Sequence, residues 1–593
     1  MCWDICFWLM TAVIAASVCG AVWLALRPEK KTPIMTPLNI LLGGTFISAY
    51  IGLIPVYKTV IFDETGGAAG AVKTGMLALV NSLQVFSMDS DAEMILSTVN
   101  ESGSRLAGAY SLTMAVLSAA APVLTFGFIV SFLINFSAYR RYLIRWYRDA
   151  YIFTELNDRS LALARDLRMG HRRAAIVFTD VFPGDDEVSA ERYDAAKALG
   201  AICFKKDVLA VDFSRHSSSA EISIFAVGTD ESENISQSMK LIEKFSSRKR
   251  TTLYIFSDSV ESEIAVAEAK TGQLRVRRVN EAQSLIDRIL WEDSGRLFLD
   301  AKEIHGRGPG TVPVNVTVLG MGRYGSAMVR SLAWYGQMKG YFINIDVYEA
   351  DPLAEEHFAY ICPELMAPEH NGSTDEGEAK YKITIHSGTD VFTRSFIEAF
   401  KKGLPPTRII VSLGSDERNI RAAVDARAFC EQMGIHPVIQ AVVHDTDTAE
   451  VVNDAVDLRN SSYDIQCIGD LDDSFSENVV INSELVDQAL KRHLAWGSEE
   501  EFWRYEYNFR SSIASAIHQR ARVGCGVLTG EDPDVDQVRD LEHCRWNAYM
   551  RSIGYIYSGS RDKSTRNDLG RLHHDLVNTS LLTDNDRKKD TNI

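Results

Sequence analysis

Three long runs without a charged residue mark the first 140 positions of the chain: Ile5–Leu26, Leu38–Tyr57 and Ala109–Phe136. Each run has at least 20 residues, which is enough for a helix to cross an apolar membrane core about 30 Å thick. The pattern therefore predicts three membrane-spanning helices. A cleaved signal peptide is the alternative for the first run, but Met1–Asp4 is not basic and no small-residue cleavage site follows.

Basic residues cluster beside the first and third runs. The two clusters are Arg27, Lys30 and Lys31, and Arg140, Arg141, Arg145 and Arg148. Because cytoplasmic flanks of membrane helices are enriched in Lys and Arg, both clusters are predicted to be cytoplasmic. With three spans, the N-terminus lies outside and the chain after about residue 137 lies inside. We expect a multi-pass protein of the cell inner (plasma) membrane.

A shorter apolar stretch, Gly75–Met88, lies between the second and third runs and is followed by Asp89, Asp91 and Glu93. This length is too short to cross the bilayer as a helix and is typical of a re-entrant or interfacial segment. Two spans with a re-entrant helix between them form the plan of a pore, in which Ser87 and the carboxylates would attract cations. The alternative is an amphipathic helix on the outer surface with a solvated acidic turn.

A strand, a glycine turn, a helix and a second strand follow one another in the middle of the chain. The strands are predicted at Val314–Leu319 and Tyr341–Tyr348, and the helix at Ser326–Tyr335. The glycines permit a tight turn and close approach of a pyrophosphate to a helix N-terminus, and an acid after the second strand binds ribose. The alternative is a turn whose glycines serve packing alone. The predicted site for NAD(H) or an adenine nucleotide consists of Gly320, Gly322, Arg323, Gly325 and Glu349.

The alternation of strands and helices continues after this motif. Further strands are predicted at Lys382–His386, Arg408–Leu413 and Pro437–Val443, and helices at Phe392–Lys402, Glu417–Met433 and Thr448–Val456. Such alternation with short connections predicts a doubly wound parallel sheet covered on both faces.

The preceding region has the same rhythm without the glycines. Its strands are predicted at Ala150–Phe153, Ala174–Val181, Ala201–Phe204, Ile222–Val227 and Thr252–Phe256, and a helix at Ser160–Arg168. Glu155 and Asp158 lie where a phosphate loop would be and would repel a pyrophosphate. This first domain is therefore interpreted as structural or as binding another ligand.

Composition narrows the possible functions. The net charge of −17 argues against a nucleic-acid partner. The nine cysteines are scattered without a CxxC pair or zinc spacing, which fits reduced thiols, and no metal cofactor is predicted.

A pore-like membrane region followed by two tandem α/β domains resembles the ligand-gated potassium channels with RCK domains (regulator of potassium conductance, TrkA-N type). The resemblance covers roughly residues 38–490 and is carried by the glycine motif and Glu349. It implies cytoplasmic domains that assemble as a ring, here a homotetramer, and a ligand that moves the inner helix. The chain departs from that family at Val85–Asp91, which contains no glycine where a TVGYG-like filter would lie.

The C-terminal region breaks the alternation. A helix is predicted at Glu499–Arg522, then a turn-rich stretch, a helix around His543 and a second helix ending near Asp586. This pattern resembles the RyR domain of ryanodine receptors and of bacterial proteins with TrkA-type domains, and it implies sensing of a nucleotide-derived ligand. The alternative is a small helical cap whose Trp and Tyr are core. The predicted ligand-binding residues are His543, Arg545, Trp546, Arg551, Tyr555 and Lys563.

Together these features predict an α-helical membrane region, two tandem Rossmann-type α/β domains and a small, mostly α C-terminal domain. The predicted borders are 1–137, 138–300, 301–497 and 498–593, with the short helix at 75–88. The expected function is a ligand-gated, cation-conducting channel or channel-like effector without catalytic residues. The alternatives are a non-conducting nucleotide sensor and, less favoured, a membrane-tethered NAD-dependent oxidoreductase, for which no positioned acid–base pair is recognised near the glycine turn.

Overall fold

The structure, a computed structural model, describes residues 2–25, 35–62, 67–87, 89, 91–182, 187–213, 216–305, 310–456, 462–529 and 534–588. The chain divides into two compact units. The first comprises Met1–Trp146, Thr179–Phe182 and Ile202–Arg215, and the second comprises the remainder. The basic cluster of Arg27, Lys30 and Lys31 lies outside the described residues.

Helices make up most of the described part of the first unit. They are α1 (Cys2–Ala25), α2 (Met35–Phe62), α3 (Ala68–Gln84), α4 (Ala92–Glu101) and α5 (Ala107–Ile144). The segments long and apolar enough to cross a membrane are Cys2–Trp23, Leu38–Ile61 and Ala107–Ile129. The three predicted spans therefore form three helices with the length and composition of membrane spans.

Small residues let the helices of the first unit approach closely. A Cβ atom on Gly44 of α2 would lie 1.9 Å from the Ser17 hydroxyl oxygen of α1. The Tyr110 hydroxyl of α5 donates a hydrogen bond of 2.7 Å to the Gly52 carbonyl of α2. Close backbone approach and interhelical hydrogen bonds are what hold membrane helices together, because lipid supplies no hydrophobic driving force between them.

The short helix between the second and third spans is longer than predicted. The sequence indicated 75–88, whereas α3 begins at Ala68, ends at Gln84 after 17 residues, and continues as a 3-10 turn at Val85–Ser87. The predicted start was wrong because Lys73 ended the uncharged stretch. Lys73 lies on an exposed face of α3, where a long cationic side chain does not interrupt a helix.

The first parallel sheet lies mainly in the second unit. Its strands are β1 (Ala150–Phe153), β2 (Ala175–Phe178), β3 (Ile202–Cys203), β4 (Ile222–Ala226), β5 (Thr251–Phe256) and β6 (Arg275–Val279). The helices of this region are α6 (Asp158–Gly170), α7 (Glu187–Ala198), α8 (Glu231–Phe245), α9 (Val260–Glu268), α10 (Glu281–Asp293) and α11 (Arg296–His305). Its five longer strands run in the order β2–β1–β4–β5–β6, all parallel.

The second sheet also has six parallel strands. They are β7 (Val312–Leu319), β8 (Tyr341–Glu349), β9 (Tyr381–Ser387), β10 (Arg408–Val411), β11 (Val438–Val442) and β12 (Ile465–Ile468). The helices of this region are α12 (Arg323–Tyr335), α13 (Ala354–Ile361), α14 (Pro363–Met366), α15 (Arg394–Lys402), α16 (Asp416–Gln432) and α17 (Thr446–Asn453). Across the sheet the strands lie in the order β9–β8–β7–β10–β11–β12. The chain thus adds strands on one side of β7 up to β9 and on its other side from β10 onwards, and this change of side is the reversal of strand order.

The C-terminal part is mostly helical. Its elements are α18 (Leu471–Ser474), α19 (Glu477–Val480), α20 (Ser483–His493), α21 (Glu499–Arg504), α22 (Glu506–Gly524), α23 (Val535–Ser552), β13 (Ile556–Tyr557), β14 (Leu572–His573) and α24 (Asp584–Arg587). Two 3-10 turns lie at Lys563–Thr565 and Thr579–Leu581. One hydrophobic cluster joins this part to the second sheet and includes Val314, Leu332, Ile517 and Tyr549.

Two predictions for this part are wrong. The single helix expected at Glu499–Arg522 is broken at Tyr505, whose backbone is extended. The second long helix, expected to end near Asp586, is replaced by short turns, of which only the four residues of α24 are α-helical in the described part after α23. Side-chain caps explain these short elements, because Asp562, Asn578 and Thr583 each accept a hydrogen bond from a backbone N–H two or three residues ahead.

Candidate functional site

The glycine turn after β7 is shaped by close backbone contacts. Gly320 has a φ of +92°, and a Cβ atom there would lie 2.2 Å from the Ser412 carbonyl oxygen. A Cβ atom on Gly325 would lie 2.1 Å from the Gly320 carbonyl oxygen. Glycine is therefore required at both positions, at the first by conformation and at both by space.

Gly322 differs from the other two glycines of the motif. It is the N-cap of α12, and no side chain among the described residues caps that end of the helix. A Cβ atom on Gly322 would meet nothing within 4 Å. The N-terminus of α12 therefore has no side-chain cap and has free space at Gly322, and an uncapped helix N-terminus is a feature that can bind an anion.

Glu349, the acid at the end of β8, fixes the glycine turn. Its Oε2 atom accepts a hydrogen bond of 2.6 Å from the Met321 N–H, and its Oε1 atom accepts one of 3.2 Å from the Asp351 N–H. Glu349 also lines a cavity of about 270 Å³ beside Gly322. The carboxylate thus lies beside space for a ligand while it holds the turn.

A larger cavity of about 430 Å³ also includes Gly322 and lies where the strand order reverses. Both cavities include Gly322, Ser412 and Gly414. Arg159, at the start of α6, also lines the larger cavity, and its guanidinium lies 5.5 Å from the centre of the Phe475 ring. Residues from both sheet regions therefore meet at the glycine turn.

Arg323, the first residue of α12, is held by two carboxylates. Its guanidinium nitrogens lie 3.0 Å from Asp258 and 2.9 Å from Glu281. Burial raises the pKa of Asp258, against the lowering effect of Arg323. Burial, with the added effect of the Glu281 charge, raises the pKa of Tyr324 to about 12. The Tyr324 hydroxyl donates a hydrogen bond of 3.2 Å to Glu281.

The structure brings together the residues predicted to form the nucleotide site, which are Gly320, Gly322, Arg323, Gly325 and Glu349.

The corresponding turn after β1 is closed by its own side chains. The Asn157 side chain accepts a hydrogen bond of 2.9 Å from the Ser160 N–H, and the Ser160 hydroxyl accepts one of 2.9 Å from the Asn157 N–H. This capping box satisfies N–H groups that would otherwise be offered to a phosphate. Arg192 holds the Asp158 carboxylate at 2.5 Å. This turn therefore lacks the open helix N-terminus of α12.

The predicted acidic mouth lies between α3 and α4. The Ser87 hydroxyl donates to the Gln84 carbonyl, and the Asp89 N–H donates to the same oxygen. Asp91 is the N-cap of α4 and accepts a hydrogen bond of 3.3 Å from the Met94 N–H. Glu93 is exposed in the first turn of α4. Helix capping thus accounts for Asp91 within one chain.

The six C-terminal residues predicted to bind a ligand do not form one site. His543, Arg545, Trp546 and Lys563 line a cavity of about 480 Å³, whereas Arg551 and Tyr555 do not. The fully buried Arg551 guanidinium lies 3.2 Å from Glu378. The buried Tyr555 hydroxyl donates to Asp568 at 3.2 Å. The structure thus separates these two residues from the other four: Arg551 faces different neighbours on α23, and Tyr555 lies beyond the end of that helix.

Several residues of this cavity were missed in the sequence. α20 contributes Arg492, α22 contributes Tyr507 and Ser511, and the segment after β14 contributes His574 and Asp575. The chain brings them together from positions up to 83 residues apart, so no local spacing indicates them. The adjacent His573 and His574 also line the cavity.

Possible metal ligands and the cysteines were located in the structure. In the described part of the chain, no group of three or more His, Cys, Asp or Glu side chains is placed to hold a metal ion. The nine cysteines are all free thiols.

No protein-family model matches this chain, and none of the curated proteins compared with it does either.

Proposed function

We propose that this protein is a membrane-anchored nucleotide sensor whose second sheet domain binds NAD(H) or an adenine nucleotide at the glycine turn. The observation that carries the proposal is the uncapped N-terminus of α12, which opens into a cavity where the strand order reverses. In open α/β sheets, ligands bind at this reversal, outside the carboxyl ends of the strands. The pyrophosphate would lie at the N–H groups beside Gly322, and Glu349 would be within reach of a ribose.

Both sheet regions are proposed to be Rossmann-type domains. The second sheet has the strand order that dinucleotide-binding domains use, and the five longer strands of the first follow the same order. The first domain would then supply Arg159 and Glu281 to the site of the second rather than bind a nucleotide itself. In this proposal the N-terminus lies outside the inner membrane and both sheet domains lie in the cytoplasm.

Nucleotide binding to the full-length protein in detergent tests the proposal. Calorimetry with NAD⁺, NADH and ATP measures the affinity of the wild type and of Gly322→Asp. The added carboxylate would repel a phosphate, and its Cβ atom meets nothing within 4 Å in the fold. We expect at least about thirtyfold weaker binding with an unchanged unfolding temperature.

A matched control separates charge from position. Gln432→Glu adds the same charge at the exposed end of α16, away from the lining of both cavities. We expect this variant to bind like the wild type. Equal affinity of Gly322→Asp and wild type would mean that the glycines serve packing alone.

Cation conduction is a second candidate function, and the surface of α3 favours it. Val72, Met76, Leu79, Val80 and Leu83 are exposed on this helix in the single chain. An apolar helix face of this size must be covered by lipid or by further subunits. A homotetramer around α3 would cover it and place Asp89 and Asp91 at a shared mouth.

Ion flux into proteoliposomes, with and without nucleotide, tests conduction. The double variant Asp89→Asn and Asp91→Asn removes two charges, and Asn remains a good cap for α4. We expect lower cation flux in this variant and unchanged flux in Glu101→Gln, an exposed position at the far end of α4. If no nucleotide produces ion flux into the vesicles, the channel function is contradicted and the sensor function is unaffected.

A further inference from the structure

The C-terminal cavity is separate from the glycine turn. It lies between α20, α22 and α23 and the segments after β13, and its volume is about 480 Å³. Among the described residues, it shares no lining residue with the two cavities beside Gly322. Cavities of roughly 300–1,000 Å³ hold small organic ligands. The cavity is therefore large enough to be a second binding site.

Arg545 brings a buried donor without a partner to this cavity. Its Nε and Nη2 atoms lie 3.2 and 3.0 Å from the same oxygen of Glu542. Its side chain is 2% exposed, and its Nη1 atom has no hydrogen-bond partner among the described residues. Buried polar groups in folded proteins are nearly always paired. A hydrogen-bond acceptor on a ligand in the cavity would give the Arg545 Nη1 atom the partner that it lacks.

The charge around Arg545 favours an anion. Glu542 is the carboxylate shared by Arg545 and Arg492, whose Nη2 atom lies 4.0 Å away. Although burial raises its pKa, the two guanidinium groups outweigh that effect and lower the pKa of Glu542 to about 2. Glu542 is therefore ionised, but one carboxylate faces two buried guanidinium groups.

The other carboxylates of the cavity are engaged by cations. Arg561, which does not line the cavity, lies 2.7 Å from Asp575 and 3.6 Å from Asp586. Lys563 lies 3.5 Å from Asp586. Asp575 and Asp586 are thus neutralised by Arg561 and Lys563. The positive charge that Glu542 leaves unbalanced therefore lies beside Arg545.

Aromatic rings form much of the remaining wall. Tyr507 and Trp546 line the cavity, and the Trp546 Nε1–H lies 3.4 Å from the Tyr507 hydroxyl. The Trp546 ring is flanked by His543, with ring centres 5.5 Å apart, and by His573 at 4.8 Å. Rings fixed in this way offer a flat apolar surface to the ring of a ligand.

We propose that this cavity binds a small aromatic anion, with its phosphate or carboxylate group on Arg545 and its ring against Tyr507 and Trp546. The residues of this site differ from those of the glycine turn, so the proposal does not depend on nucleotide binding at that turn. A guanidinium group pairs with either anion through parallel N–H donors. The position of the anion is set by Arg545, and the choice of an aromatic ligand is set by the wall.

Phenyl phosphate is the probe that tests the site. Calorimetry and tryptophan fluorescence are measured on the full-length protein in detergent, in the Gly322→Asp background so that the glycine turn contributes no anion binding. Benzoate, inorganic phosphate and phenol are the comparison probes. We expect saturable binding of phenyl phosphate or benzoate, at least about tenfold tighter than inorganic phosphate or phenol. Absent binding, or equal affinity for phosphate and phenyl phosphate, would overturn the proposal.

Two substitutions locate the binding. Arg545→Gln removes the donor that the anion needs, and we expect at least about tenfold weaker binding of phenyl phosphate. Arg551→Gln is the matched control, because Arg551 lies on the same helix, is equally buried and does not line the cavity. Full affinity in Arg545→Gln would contradict the proposal, as would equal loss in both variants.

A third variant covers the case in which Arg545→Gln does not fold. Ser511→Phe fills the cavity from α22 without removing a charge, because Ser511 lines the cavity and is largely buried. We expect phenyl phosphate binding to be lost in this variant and nucleotide binding, measured in the wild-type Gly322 background, to be kept. Retained binding of phenyl phosphate would place the probe elsewhere and overturn the site.

Discussion

The Arg323 guanidinium lies 2.9 Å from the Glu281 carboxylate, and this pair joins the first turn of α12 to the first turn of α10. Arg159, from the first sheet domain, lies 3.9 Å from the same carboxylate. A phosphate bound at the N-terminus of α12 would compete with Glu281 for both cations. The proposed nucleotide binding would thereby be coupled to the contact between the two sheet regions, because a ligand shifts an arrangement only by binding one form better.

Removing the Glu281 charge is therefore predicted to strengthen nucleotide binding. Glu281→Gln leaves a side chain of the same size but frees Arg323 and Arg159 for a phosphate. We expect about fivefold tighter binding of ATP, measured by calorimetry on the full-length protein. Glu484→Gln, at an exposed ion pair with Arg520 on other helices, is the control and should bind like the wild type. Weaker binding in Glu281→Gln would mean that the carboxylate positions Arg323 for the ligand.

Two glycines of the turn, Gly322 and Gly325, are predicted to differ in how much substitution by alanine destabilises the fold. Gly325→Ala places a Cβ atom 2.1 Å from the Gly320 carbonyl oxygen, and such overpacking costs about 1–3 kcal/mol. Gly322→Ala meets nothing within 4 Å and keeps a φ of −65°. Thermal unfolding without ligand should therefore show a lower midpoint for Gly325→Ala alone. Equal midpoints would show that the turn relaxes around the added methyl group.

The second sheet was largely predictable because its signals are local. The strand at Tyr341–Tyr348 and the glycine turn before α12 are read from neighbouring residues, and the structure moves their ends by only a few positions. The strand β12 was missed because Ile465–Ile468 is only four residues long. Its second residue, Gln466, is polar and exposed, so the segment does not form an apolar run.

The break at Tyr505 depends on packing that the sequence does not display. In one continuous helix, residues seven positions apart are separated by about 10 Å along the axis. The ring centres of Phe502 and Phe509 lie 5.2 Å apart. The change of direction at Tyr505 brings both rings into the same core. The segment contains no Gly or Pro that would have indicated a break in the helix.

The C-terminal cavity could be predicted only in part for a similar reason. His543, Arg545 and Trp546 are close in sequence on α23, so their type and spacing indicated a site. The opposite wall comes from α22 and from the segment after β14, and only the folded chain brings Tyr507 and His574 to it. The sequence also grouped Arg551 with them, but in the structure its neighbours are Glu378 and Glu364.

The buried pair of Arg408 and Asp293 is predicted to be a major contributor to the stability of the second unit. Their side chains are 7% and 4% exposed, and the Nη1–Oδ1 distance is 2.6 Å. Arg408→Met would leave Asp293 as a buried charge whose remaining donors are the Tyr335 hydroxyl at 2.6 Å and the Leu297 N–H at 3.2 Å. Such a loss costs about 3–5 kcal/mol.

Urea unfolding of the detergent-solubilised protein measures this cost. Arg394→Met is the control, because Arg394 and Glu398 form an exposed pair on α15, and exposed pairs contribute about 0–1 kcal/mol. We expect a clear loss in the unfolding midpoint for Arg408→Met and little change for Arg394→Met. Similar midpoints for both would show that the buried pair contributes no more to stability than the exposed one.

His518 is predicted to make stability depend on pH between about 6.5 and 4. Burial lowers its pKa from 6.5 to about 4, against the raising effect of Glu542 and with the lowering effect of Arg545. Its Nε2 atom lies 2.5 Å from the Gln337 carbonyl oxygen, so the neutral ring donates there. The unfolded chain therefore binds more protons in this window than the folded chain, and stability falls as the pH falls from 6.5 to 4.

The size of this effect follows from the shift, because each pKa unit corresponds to about 1.4 kcal/mol, for a total on the order of 3 kcal/mol. His518→Gln removes the titrating ring, so its urea midpoint should fall less than that of the wild type between pH 6.5 and 4, although the variant is less stable at pH 7.5. His436→Gln, on the exposed surface, should keep the wild-type slope. Equal slopes for wild type and His518→Gln would show that the folded protein protonates His518 freely, because water reaches the ring or because the Glu542 carboxylate, 4.0 Å away, compensates its charge.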